Sequence, residues 1–112
     1  MKLNMTFGKY EFSEPVKITK WEPPESRGLY VILKPDLSSS PLLLKPIYFG
    51  QTENFAKRGF IKSHEKYPDW IREVVEEEHM AIAIYLMAGS TEEERKTIET
   101  ELIAQYQPAC ND

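Results

Sequence analysis

Apolar positions along the chain gather into three short runs and one helical stripe. Gly28-Leu29-Tyr30-Val31-Ile32-Leu33 is apolar throughout, which predicts a central strand ended by Pro35. Leu42 to Gly50 predicts a returning strand, interrupted by Pro46 and carried by Ile47-Tyr48-Phe49; Asp36 to Pro41 supplies the turn between the two. Met80 to Ala88 is the third run, and its length and β-branched content predict a strand. Asn54 predicts the N-cap of a helix starting at Phe55, which Gly59 weakens by about 1 kcal/mol relative to Ala. Pro68 is expected to break or restart it, with Asp69 to Glu78 as a second helical piece. Ser90 followed by Glu93 reads as a capping box for a last helix that runs to about Tyr106 and stops before Pro108. Residues 1–27 carry Pro15, Pro23 and Pro24 and allow only short edge strands, around Phe7–Phe12 and Val16–Ile18. The order strand, strand, helix, strand, helix predicts a small α/β (α+β) domain with a largely antiparallel sheet.

A chain of 112 residues argues for one domain, residues 1–112, with room for one modest core. No apolar run reaches the roughly 18 residues that a membrane span needs, and Met1 to Pro15 shows no secretory h-region. The single Cys110 excludes an intrachain disulfide and a cysteine-based zinc cage, so a reducing, cytoplasmic location is expected. Charge changes the picture more. Residues 1–72 hold 12 Lys/Arg against 8 Asp/Glu, and residues 73–112 hold 2 against 10, so the net −4 divides into +4 and −8. Binding to nucleic acid draws on clustered cations, so any such role falls to the first two-thirds, to a partner or to a metal ion.

One residue breaks the pattern of the last helix. Ile98, Leu102, Ile103 and Tyr106 form its apolar stripe, and Glu99 falls in the middle of it, whereas Glu101 falls outside. Glu92, Glu93 and Glu94 lie in the first turn, where the helix dipole favours anions. A carboxylate in an apolar stripe needs compensation. Three sources are open: Arg95 four residues back, a metal ion, or a basic group from another element.

Taken in order, Gly28-Leu29-Tyr30, Tyr48-Phe49-Gly50, Arg58, Glu99 with Leu102-Ile103, and Pro108 with Asn111 resemble the motifs of the GIY-YIG endonuclease superfamily. Arg58 stands eight residues after Gly50, and Glu99 four before Ile103. Each motif alone is weak; their common order and spacing over Gly28 to Asn111 carry the resemblance. It implies a three-stranded, mostly antiparallel sheet flanked by helices, with core residues about 28–111 and residues 1–27 packing on or extending the sheet. It also selects Glu99, as the stripe does.

The resemblance implies hydrolysis of DNA phosphodiesters. Glu99 would hold a divalent metal, Mg²⁺ or Mn²⁺, with water and phosphate completing the shell. Arg58 would contact the scissile phosphate, which a planar guanidinium suits. Tyr30 or Tyr48 would orient or deprotonate the water, and a phenol of ordinary pKa ~10 needs help to do so. Asn111 would fix the rim, and Lys57, Lys62 and His64 would touch substrate. The family often carries His or Tyr four residues after the arginine; here that position is Lys62, with His64 two further on, and either can take the role. Gln51, neutral, follows the glycine where the family often has a basic or polar residue. The sequence thus carries two readings: a metal-dependent DNA endonuclease, whose DNA affinity comes from a partner protein or a homo-oligomer, and a non-catalytic nucleic-acid or protein interaction module of the same fold.

Overall fold

A computed structural model describes residues 4–36, 43–57 and 61–111. A hairpin of β1 (Met5–Phe7) and β2 (Tyr10–Phe12) leads through β3 (Val16–Lys17) to two long strands, β4 (Gly28–Asp36) and β5 (Leu43–Thr52). Helix α1 (Tyr67–Val74), strand β6 (Ala81–Leu86) and helix α2 (Glu92–Tyr106) complete the chain. The result is an α+β fold with two antiparallel sheets, the hairpin and a second sheet in the order β3-β6-β4-β5. This corrects the expectation of three strands. The fourth arises because Val16 and Lys17 pair with Ile82 and Ala81 on the free side of β6.

Strand alternation gives the sheet two buried faces. Leu29, Val31 and Leu33 of β4 join Phe7, Phe12, Phe49 and Leu102 in a core beneath α2 and the hairpin. Tyr30 and Ile32 face the other way, into a core with Trp70, Met80, Phe55 and Ile47. The sheet is therefore the middle of three layers. Ile47 and Phe49, two positions apart on β5, lie on opposite faces. Ile32 faces Tyr48 and Leu33 faces Pro46, so Ile47 is the extra residue of a bulge, and the alternation shifts there.

Proline does not end these strands. Pro35 lies in the part of β4 beyond its pairing with β6, and Pro46 lies on β5, an edge strand, so neither needs to donate to a second neighbour. The helix expected from Phe55 is absent among the described residues. Asn54 instead accepts the Ala56 N–H through its side chain at 2.9 Å, forming a local turn, and Phe55 is a fully buried plug in the second core. Residues 61–66 continue as turns, and Pro68 sits within the first turn of α1 rather than breaking a helix. Gly59 and the turn at residues 37–41 lie outside the described residues.

The capping box of α2 is displaced by one position. Thr91 accepts the Glu94 N–H, and the Glu94 carboxylate accepts the Thr91 N–H. Ser90, the expected cap, is buried. Among the described residues no helix is long and apolar enough to cross a membrane.

Candidate active site

The two motif glycines are explained by space. Gly50 faces Tyr30 across β4 and β5, and a Cβ on Gly50 would stand 2.4 Å from the Tyr30 ring and hydroxyl. A Cβ on Gly28 would meet the Tyr85 carbonyl oxygen at 2.1 Å. Both sit within strands, so close approach and not a turn selects glycine.

Resting over Gly50, the Tyr30 ring is 2% exposed and its hydroxyl meets His64 Nε2 at 3.0 Å. The other ring nitrogen of His64, Nδ1, accepts the Lys66 backbone N–H at 3.0 Å. That bond assigns the neutral tautomer: Nδ1 is the acceptor, so Nε2 carries the proton and donates it to Tyr30. Burial lowers the His64 pKa, which keeps the ring in this neutral form. The Tyr48 ring lies 6.0 Å from that of Tyr30, and the coupling of the two phenols favours the ionised form of Tyr48 and disfavours that of Tyr30. The three side chains thus form one cluster, His64 bonded to Tyr30 and Tyr30 lying against Tyr48.

The cluster ranks the two candidate phenols. Burial first, then the charges of Tyr48 and Glu99, pushes the Tyr30 pKa far above its ordinary value. Tyr48 is only partly buried; burial and Glu99 raise its pKa too, but the coupling to Tyr30 works in the opposite direction. Tyr48 is thus the phenol more open to solvent and easier to ionise. Beneath both lies Trp70, wholly buried, 4.6 Å from the His64 ring centre and 5.2 Å from that of Tyr48. Its indole nitrogen has no hydrogen-bond partner among the described residues.

Glu99 approaches from the other side of β5. As an edge strand, β5 presents outward backbone groups that need partners. The Cys110 N–H donates to the Ile47 carbonyl at 2.8 Å. The Asn111 amide accepts the Phe49 N–H at 2.8 Å and donates to the Phe49 carbonyl at 2.9 Å. Two residues beyond Phe49, the Gln51 N–H lies on the same outer edge and helps to stabilise the Glu99 carboxylate. Two motif residues therefore seal the strand that carries Tyr48 and Gly50. Burial raises the Glu99 pKa, and Lys96 and the Gln51 N–H only partly offset this. Of the three sources of compensation left open for Glu99, the ion pair with Arg95 does not form among the described residues; Arg95 turns to Ser90 and Gln51 instead.

Of the residues singled out by sequence, Tyr30, Tyr48 and His64 are in contact, and the charge of Glu99 reaches both phenols. His64 rather than Lys62 joins the tyrosines, because residues 61–66 are turns and not a helix. Lys62 is exposed and lies 3.8 Å from Glu77. Lys57 is exposed on the loop, Asn111 is committed to β5, and Arg58 lies outside the described residues. The structure adds Trp70, which carries no motif, and Gln51 and Arg95, which the sequence reading saw only as a departure and as an ion-pair candidate.

No three His, Cys, Asp or Glu side chains converge as a metal cage among the described residues. Glu99 still suits a cation held through one protein oxygen. It is a half-buried carboxylate, raised in pKa by that burial, with no salt bridge among the described residues. No protein-family model, curated protein or solved structure matches the chain.

Proposed function

We propose that this chain is a metal-dependent DNA endonuclease of the GIY-YIG type, hydrolysing phosphodiester bonds. The observation that carries the reading is the meeting of Tyr30, Tyr48 and His64, from three separate segments, in one cluster beside the charge of Glu99. A general base must be reachable and must have its anion stabilised. Tyr48 is the better placed of the two phenols: it is the less buried, and its coupling to Tyr30 offsets part of the rise in pKa caused by burial and Glu99, the remainder falling to a bound cation. Tyr48 therefore holds the attacking water and takes its proton. Tyr30 orients Tyr48, and His64 fixes Tyr30. Glu99 would hold Mg²⁺ or Mn²⁺, which supplies charge relief at the phosphate when bound. Arg58 would contact the scissile phosphate, and Lys57, exposed on the loop after β5, would touch substrate. A net charge of −4 leaves DNA affinity to a partner protein or a second copy.

One observation favours the second reading, a non-catalytic nucleic-acid or protein interaction module: Asn111 bonds to the β5 backbone and Glu99 faces it, a sufficient structural reason for each. Incubation with supercoiled, branched and single-stranded DNA in Mg²⁺ and in Mn²⁺ separates the two. Nicking by wild type is expected to fall about 10²–10⁴-fold in Tyr48→Phe, the usual range for loss of a general base, and to disappear in Glu99→Ala and Arg58→Ala. Equal inertness of wild type and variants on every substrate would sink the nuclease and leave the interaction module.

A further inference from the structure

Arg95 is a cation with 0% exposure, and it has no carboxylate partner among the described residues. Its hydrogen bonds run in two directions. Nη1 donates to the carbonyl and the hydroxyl of Ser90, each at 3.0 Å, and Nε donates to Oε1 of Gln51 at 2.9 Å. The Ser90 carbonyl also accepts from Arg27 at 3.1 Å, so this end of the network is anchored to the chain entering β4. Gln51 is next to Gly50, the residue under Tyr30. Its backbone N–H lies on the outer edge of β5, as that of Phe49 does, and stabilises the Glu99 carboxylate there.

Arg95 and Glu99 stand one helical turn apart on α2, on the same side. Arg95 bonds the side chain of Gln51 and Glu99 faces its backbone N–H, so two adjacent turns of α2 meet a single residue of β5. We propose that Arg95 is a positioning residue: by holding the Gln51 side chain it presents the Gln51 N–H to Glu99 and fixes where that carboxylate points at the edge of the site. The guanidinium suits the task because its fork reaches Ser90 and Gln51 at once, which a lysine ammonium on a flexible stem does not do with fixed geometry. Groups that orient a metal-binding side chain in this way typically affect metal affinity about 10- to 100-fold. The part of the inference that concerns a cation rests on the nuclease reading of Glu99; the positioning of Gln51 does not.

Two variants cut the same bond from opposite ends, Arg95→Met and Gln51→Met, so a misfolded Arg95 variant alone does not decide. Circular dichroism checks the fold of each. In the metal-free protein, hydrogen exchange at the Gln51 amide is expected to be at least about 10-fold faster in Arg95→Met than in wild type, with the amides of β4 unaffected. Mn²⁺ binding, read by paramagnetic relaxation of water, is expected to weaken about 10-fold in either variant and no further in the double variant, since both act through one path. Arg95→Lys should fail to restore it. Unchanged protection of Gln51 together with unchanged Mn²⁺ affinity in the folded single variants overturns the proposal. If wild type and Glu99→Ala bind Mn²⁺ equally weakly, the metal reading has failed, and amide exchange alone upholds or overturns the positioning of Gln51.

Discussion

The two faces of the sheet are buried to the same depth but differ in chemistry. Under α2 the core is hydrocarbon and phenyl: Leu29, Val31, Leu33 and Leu102 with Phe7, Phe12 and Phe49, the rings meeting edge to face at 5.4–6.4 Å. On the α1 face the same strands contribute Tyr30 and Tyr48, which meet His64 and Trp70. Packing alone asks only for shape and apolar area. The first face keeps its phenols, such as Tyr106, at the margin, whereas the second buries the Tyr30 hydroxyl and bonds it to the His64 imidazole. Such networks are costly when incomplete, so their presence under a half-open phenol is a sign of use. A substitution on the first face should change stability alone, and one on the second should change stability and chemistry together.

The largest effect tests the first half of that contrast. Leu102→Ala, at a fully buried site under α2, is expected to cost about 3 kcal/mol in urea denaturation while leaving nicking per folded molecule unchanged. Gly50→Ala follows at about 2 kcal/mol, because the new methyl overlaps a Tyr30 ring that is itself fully buried and cannot swing aside cheaply. Unlike Leu102→Ala, it should also depress activity of the folded fraction, since Tyr30 must move. Loss of stability without loss of activity would erase the distinction between the faces.

Acid titration gives a smaller effect. His64 has a folded pKa below its ordinary value of about 6.5, owing first to burial. Below pH about 6.5 the unfolded chain therefore binds a proton that the folded chain refuses, and stability falls as pH falls through the folded pKa. Denaturation midpoints of wild type and His64→Gln should run parallel above pH 7 and diverge below it, the variant being flatter. Glu99→Gln is the smallest and has the opposite sign. The folded carboxyl has a raised pKa, so its stabilising contribution is present at low pH and is lost as pH rises through that value, leaving the charged form a cost at pH 7. The variant should melt higher at pH 7 by up to about 4 °C, with the gap closing near pH 4. A lower melting temperature at pH 7 would make Glu99 a purely structural edge cap.

How legible this was in the sequence differs by element. β4, β6 and the stripe of α2 are plain in the apolar pattern because one or both faces are buried, and periodicity reports burial. The helix expected from Phe55 is not formed over residues 55–57 and 61–66, since helical composition does not reveal that Asn54 closes a turn on Ala56 or that Phe55 leaves the surface to fill a core. The capping box was read one residue early because Ser90 and Thr91 are equally good caps locally; the choice is made by Arg95, which takes Ser90. At the site, Tyr30, Tyr48 and Glu99 could be chosen from motif and stripe. His64 joins them only through consecutive turns that bring it back over Tyr30, and Gln51 gains its place from a helix more than forty positions away. Contacts of that kind leave no local signature.

The seal on β5 also has a consequence in time. Asn111 reaches Phe49 across 62 positions of chain, whereas β4 and β5 are hairpin neighbours. Closing a long loop costs more entropy than closing a short one, so the inner side of β5 pairs early and its outer side late. In that interval a folding chain shows an open strand edge able to template another copy. Refolding yield should therefore fall with protein concentration, and Asn111→Ala, which prolongs the interval, should steepen that fall.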